Sequence, residues 1–277
     1  MIQEYVIWVL HMINIRTFTL TCCTGLRFLK HAKEIGIILS AYFLYMFVRK
    51  FIIPDVESIA MNNAISLISL ESNLGLLWEH QLQMWAVGPS SWIIRIFNWA
   101  YVLGFFPLIL TTALVIYIKD RSRYFYYRNV VLISLVLALM VFVAFPLAPP
   151  RFLTDYGFVD GFQSFGPTWY GRRDMAIYYN INAAMPSLHF GWTLLFGILY
   201  IRTKLKFIKP IGIIYPVIMF FAVTISGNHY VLDSIAGAGV ILIAYLGYEL
   251  FLWAKSSYKS IIWPTRRFSP TTFVRPE

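Results

Sequence analysis

Residues 129–148 read Asn-Val-Val-Leu-Ile-Ser-Leu-Val-Leu-Ala-Leu-Met-Val-Phe-Val-Ala-Phe-Pro-Leu-Ala, twenty positions without a charged side chain. That is about the length a helix needs to cross the hydrocarbon core of a bilayer. In lipid the backbone must satisfy its own hydrogen bonds, so a run of this kind has to be helical. Residues 96–118 and 211–227 are likewise free of charge, and across the chain 59% of residues are hydrophobic against 13% charged. This balance excludes an ordinary soluble domain. No Pro/Gly/Ser linker, low-complexity tract or internal repeat divides the 277 residues. The expected fold is therefore one all-α polytopic membrane bundle of about six transmembrane helices with interfacial amphipathic helices beside it.

The six expected spans lie at about 35–53, 92–118, 129–148, 184–203, 211–227 and 231–254. Pro107 and Pro216 fall inside two of them and are tolerated where neighbouring groups satisfy the freed carbonyls. The organisation follows as an N-terminal interfacial segment over 1–34, a catalytic membrane domain over 35–254 and a basic tail over 255–277. Residues 1–33 carry Arg16, Arg27, Lys30 and Lys33 among apolar residues, which fits a helix lying in the interface; a seventh span is the alternative. Residues 54–91 are expected to lie along the headgroup layer as well, with the stretch around Glu79, His80 and Gln81 amphipathic. The N-terminus does not read as a signal peptide, since it lacks a basic start and its apolar stretch is broken by His11 and Arg16.

A net charge of +10 raises nucleic acid as a partner, but the basic residues are confined to segments between apolar runs. One group is the N-terminal set just named. Others are Lys119, Arg121, Arg123 and Arg128, then Arg202, Lys204, Lys206 and Lys209, then the tail with Lys255, Lys259, Arg266, Arg267 and Arg275. With six spans all four groups share one face, which the positive-inside rule makes cytoplasmic, with both termini there. No nucleic-acid partner is expected. Cys22 and Cys23 are neighbours, which suits neither a structural disulfide nor a metal site; palmitoylation is the remaining use.

Three short motifs fall on the opposite face. Pro-Leu-Ala-Pro-Pro-Arg ends at Arg151, Ala-Met-Pro-Ser-Leu-His ends at His189, and Gly-Asn-His-Tyr-Val-Leu-Asp contains His229 and Asp233. His229 and Asp233 are spaced i, i+4, so a carboxylate can hold one imidazole nitrogen and leave the other as a nucleophile. Pro186 and Ser187 suit a helix start, which sets His189 just inside a span mouth, where an imidazolium can serve as general acid. The Arg151 guanidinium offers a fork of donors to a phosphate. Taken singly, each motif is equally an interfacial histidine paired with an acid or an arginine snorkelling from a span end. Their order and shared face give the combination its force.

The joint pattern resembles the type 2 phosphatidic acid phosphatase superfamily over roughly residues 75–250, and more narrowly the branch that contains inositol phosphorylceramide synthase. Asn98-Trp99-Ala100-Tyr101 and Trp78-Glu79 are fainter echoes of the same branch. The resemblance implies a membrane-embedded lipid phosphotransferase or phosphatase working through a phosphohistidine on His229. Asp233 would orient that histidine, His189 would protonate the leaving group and Arg151 would bind phosphate. Neither a metal nor another cofactor is implied. The partners are a membrane lipid phosphate or phosphodiester and an alcohol acceptor.

The departures from the hydrolases of that superfamily are specific. Ala144 stands where they carry lysine, Phe152 follows the arginine, Leu188 replaces a frequent glycine, and Ala222-Val223 replaces Ser-Arg. Ser187, Asn228, Arg172 and Arg173 are the candidates to make up the missing phosphate or acceptor contacts. Transfer to an alcohol is favoured, and simple hydrolysis is the alternative. A transporter or scaffold is the non-enzymatic alternative. Against it, the polar groups gather at one face, and mid-span residues 135–140 are apolar.

Overall fold

The computed structural model of the chain describes residues 28–48, 51, 56–88, 91–169 and 183–262, with side chains through residue 257. It divides into two compact units at Pro54 and Asp55. In the first, residues 28–47 form one helix, α1, with Lys30, Lys33 and Glu34 in its opening turns and an apolar remainder. Cys22, Cys23, Arg16 and Arg27 lie outside the described residues.

The second unit is helical throughout, and its described residues contain no strand beyond an isolated bridge between Leu147 and Ala183. Its helices are α2 (Glu57–Leu74), α3 (Glu79–Val87), α4 (Trp92–Gly104), α5 (Phe106–Lys119), α6 (Arg121–Ala144), the short α7 (Gly161–Phe165), α8 (Leu188–Ile201), α9 (Lys209–Ile225) and α10 (Val231–Ile262). Three segments among the described residues are long and apolar enough to cross a membrane: Trp92–Lys119, Arg121–Ala144 and Val231–Ser257. The expectation named six. Of the other three, α8 and α9 are apolar but have only 14 and 17 residues. At 1.5 Å per residue α8 is about 21 Å long, less than the hydrocarbon thickness. It is short because Ser187 caps its start and the chain turns after Ile201.

The span from Trp92 to Lys119 breaks between α4 and α5 at Phe105, two residues before Pro107. Proline removes one helix hydrogen bond and its ring crowds the preceding turn. Near the break, the Gly104 carbonyl accepts a bond from the Tyr215 hydroxyl of α9. Helix α9 continues through Pro216.

An apolar core forms where α4, α5, α6, α8, α9 and α10 meet, around Tyr101, Phe105, Val130, Leu195, Phe196, Met219 and Ala244. The outer faces are apolar too. Leu110, Leu114 and Ile118 on α5, and Leu242, Leu246 and Leu250 on α10, are all exposed at i, i+4 spacing. Large exposed apolar faces on helices of span length fit a lipid surround, and the chain reads as a membrane protein.

The segment expected along the headgroup layer forms two helices that bury three polar side chains beside Ala60, Ala64, Leu67, Ile68 and Ala86. Glu71 on α2 and Glu79 and Gln83 on α3 are fully buried, while Leu74, Trp78 and Trp85 are exposed. The departure from the expected amphipathic pattern is confined to those three polar residues. The physical reason is that these polar groups are consumed by backbone partners inside the fold: Val231 N–H on Glu79, Leu232 N–H on Glu71, and Val159 N–H on Gln83.

Helices α8 and α9 cross where Gly197 faces Gly212, so close that a Cβ on Gly197 would strike the Gly212 carbonyl and lie 3.1 Å from Pro216 Cγ. Gly247 on α10 has open space where its Cβ would be. Gly197→Leu should therefore destabilise the protein in detergent by about 1–3 kcal/mol or more through overpacking. Gly247→Leu should leave the melting midpoint near that of the parent. Thermal unfolding of the two variants side by side checks this, and equal midpoints would contradict the seam.

Candidate active site

The site is assembled where the N-terminal ends of α8 and α10 meet. Ser187 precedes α8, and its hydroxyl accepts the Phe190 N–H as an N-cap. The Ser187 backbone N–H reaches across to the Asp233 carbonyl at 2.9 Å. The approach is possible because positions 191 and 237 are both glycine: a Cβ on Gly191 would lie 2.9 Å from the Gly237 carbonyl oxygen, and one on Gly237 would strike the Ser187 carbonyl. Before α10, Gly227 turns the chain at φ +74°, a conformation that favours glycine. Asn228 and His229 then both donate their backbone N–H to the Val223 carbonyl, at 3.1 Å each.

This brings the two histidines together, with ring centroids 5.7 Å apart. His229 is buried, and its Nδ1 lies 2.7 Å from the Ala184 carbonyl oxygen and 3.4 Å from Asp233 Oδ2. A carbonyl can only accept, so Nδ1 carries the proton and Nε2 presents its lone pair. Asp233 is fully buried, and the same Oδ2 also accepts the Tyr230 N–H at 2.9 Å. The expected His–Asp pair is present, with a backbone carbonyl as its shorter partner. Ala184 left no signal in the sequence, because every residue carries a carbonyl.

His189 is held differently. Its Nδ1 lies 3.3 Å from the Tyr101 hydroxyl, its ring stacks on Tyr101 at 4.3 Å, and Phe105 packs on it at 3.9 Å. His189 Nε2 is buried and has no hydrogen-bond partner. Arg151 sits in a 3-10 turn, Pro150–Phe152, almost wholly buried. Its backbone N–H donates to the Gly227 carbonyl at 2.9 Å, and its guanidinium donates to the Asn228 side-chain oxygen and lies 4.0 Å from Asp160. Asn228 in turn donates to Ser226 Oγ at 2.6 Å, so both ends of its amide are engaged, the oxygen by Arg151. Arg172 and Arg173 lie outside the described residues.

Of the positions where a cation is missing, Ala222 and Val223 are packed in the apolar core and Ala144 is exposed at the end of α6. Sequence reasoning overlooked Glu71, Gln83 and Asp160 as parts of this assembly, and noted Glu79 and Tyr101 only as echoes of the family pattern, without a role. The available signal was polar residues in apolar company, Asn98 and Tyr101 one turn apart on α4 and Glu79 at the start of α3. Burial raises the Glu71 carboxyl to about 9 and raises the Glu79 carboxyl too, and the charge of Glu79 adds to the effect on Glu71. Burial, then Asp233 and the two glutamates, push the Tyr230 hydroxyl up too. No group of His, Cys, Asp and Glu among the described residues has the arrangement to hold a metal ion.

Neither a curated protein nor a solved structure matches the chain. The family profile described as the PAP2 superfamily matches residues 65–247, which take in α3 to α9, all three motifs and most of α10. That is well over half of the sequence, and the chain belongs to the PAP2 superfamily.

Proposed function

We propose that the protein is a lipid phosphotransferase acting on a lipid-linked phosphoester, with a phosphohistidine on His229 as intermediate. Membership of the PAP2 superfamily supports phosphatase- or phosphotransferase-type chemistry. The observation that carries the finer reading is the tautomer lock at His229, whose Nδ1 is held by Ala184 and Asp233 beside a second imidazole with an unpartnered nitrogen.

In the first half-reaction the Nε2 lone pair of His229 attacks phosphorus and the bond to the leaving oxygen breaks. Protonated His189 gives its Nε2 proton to that oxygen, so the lipid leaves as a neutral alcohol. The imidazolium character that develops on His229 is stabilised by Asp233, and Arg151 faces the phosphoryl oxygens. In the second half-reaction neutral His189 takes a proton from an alcohol or water, whose oxygen attacks phosphorus and releases His229. No step requires a metal. Ser187 supplies a hydroxyl at the mouth of α8, and Asn228 acts by holding Arg151. A transferase of the kind that includes inositol phosphorylceramide synthase fits the absence of cations at 144, 222 and 223, with residues 170–182, including Arg172 and Arg173, as the acceptor-holding segment.

We also propose six spans, counting α1, α8 and α9 in addition to the three long segments. Both termini are then cytoplasmic, and the α8–α10 mouth opens on the other side. The four basic segments support this orientation.

His229→Ala should lower turnover by on the order of 10³-fold or more with the fold intact. Asp233→Asn should retain more activity, because the Ala184 carbonyl still fixes the Nδ1 proton. Excess EDTA should leave the parent rate unchanged. Phosphate release and radiolabel transfer from lipid phosphates by purified protein in detergent measure all three, and near-parental turnover by His229→Ala would sink the scheme.

A cysteine placed at Trp169 should react with an impermeant thiol reagent on intact cells, and cysteines at Arg121 or Lys206 should not, in a background lacking Cys22 and Cys23. Labelling at Lys206 from outside would overturn the orientation.

For an alcohol to outcompete water the site must give it a high effective molarity. A lipid or sugar alcohol should therefore raise donor consumption and be recovered phosphorylated, with Arg172→Ala or Arg173→Ala reducing transfer relative to hydrolysis. Rapid phosphate release without acceptor, and no transfer product across a broad panel of alcohols, would identify a phosphatase instead.

A further inference from the structure

Helix α4 carries two buried polar side chains one turn apart, Asn98 and Tyr101. Asn98 donates to the carbonyls of Gly161 and Gly166 at 2.7 and 2.8 Å, which ties α4 to the short helix α7. Tyr101 packs edge-on against Phe162 of α7 at 5.4 Å and stacks on His189 at 4.3 Å with the planes 24° apart. One turn further on, Phe105 lies against the same imidazole and also stacks on Trp192 at 5.7 Å. The imidazole is therefore packed by aromatic rings, and its one hydrogen-bond partner among the described residues is the Tyr101 hydroxyl on Nδ1.

We infer that Tyr101 is a positioning residue for the acid step: its hydroxyl occupies Nδ1 of His189, so that Nε2 is the nitrogen that delivers and later recovers the proton. This rests on the assignment of His189 as general acid made above. A hydroxyl is suited to the place because its oxygen accepts from Nδ1–H whether or not Nε2 carries a proton. While His189 is an imidazolium, Nδ1–H donates to the tyrosine oxygen. Once the Nε2 proton has gone to the leaving oxygen, the neutral ring keeps its proton on Nδ1, still donated to the tyrosine oxygen, and Nε2 is left bare to take the next proton. Tyr101 loses no proton in either half-reaction. Phenylalanine preserves the stack and removes this partner.

The test uses leaving groups that differ in their need for a proton. Nitrophenolate departs without one, whereas an alkoxide does not. Full-length protein in detergent is assayed with p-nitrophenyl phosphate and with dodecyl phosphate. Tyr101→Phe should lower the dodecyl rate at least tenfold more than the nitrophenyl rate, and His189→Ala should show the same selectivity more strongly, as loss of a general acid costs on the order of 10²–10⁴-fold. A merely structural role would slow both esters alike. If His189→Ala slows both equally, His189 is not the acid and the underlying reading fails. If His189→Ala is selective and Tyr101→Phe is not, the inference about Tyr101 fails alone. A second measurement does not depend on turnover of either ester. In protein labelled with ¹⁵N-histidine, the His189 Nδ1 resonance, assigned by its loss in His189→Ala, should move in Tyr101→Phe, and an unmoved resonance overturns the inference.

Discussion

The contact on which the rest of the site depends is the meeting of α8 and α10 at their N-terminal ends. A backbone bond from Ser187 to Asp233 and the bond between His229 Nδ1 and the Ala184 carbonyl cross the same seam. Gly191 and Gly237 let the two backbones come this close. The seam sets the separation of the two imidazoles and fixes which nitrogen of His229 is protonated. A side chain at either glycine would push the helices apart, and both functions would be lost together.

The start of α10 is held from a second direction. Its first turn has backbone N–H groups with no partner inside the helix. Those of Val231 and Leu232 are taken by Glu79 and Glu71, from helices some 150 residues earlier. Carboxylates at a helix N-terminus are favoured by the helix dipole, but two adjoining buried acids repel one another and resist ionisation. Their raised affinity for protons follows from that burial. The pair also explains why residues 57–87, which read as surface helices, are packed into the body of the second unit.

The described residues invert the arrangement of a soluble protein. Leucines and isoleucines of α5, α9 and α10 cover the outside, while Glu71, Glu79, Gln83, Asn98, Arg151 and Asp233 are inside. Each of these buried groups is tied to backbone or to another polar side chain. In an apolar surround an unpaired polar group is costly, and these side chains take most of their bonds from the backbone.

The sequence by itself determined the helical class, the membrane setting, the helix start at Ser187, and the family through the ordered Arg151, His189 and His229–Asp233 motifs. These are legible because hydropathy, proline and i, i+4 spacing act within a few residues of the chain. It did not determine helix lengths, and the expected span over 184–203 is a 14-residue helix. Only tertiary structure decided that Ala184 rather than Asp233 is the nearer partner of His229, that Asn228 is occupied by Arg151, that Tyr101 holds His189, and that Glu71 and Glu79 face inward. Each of those contacts joins residues far apart in the chain, and a backbone carbonyl or a lone tyrosine has no pattern by which its distant partner could be read.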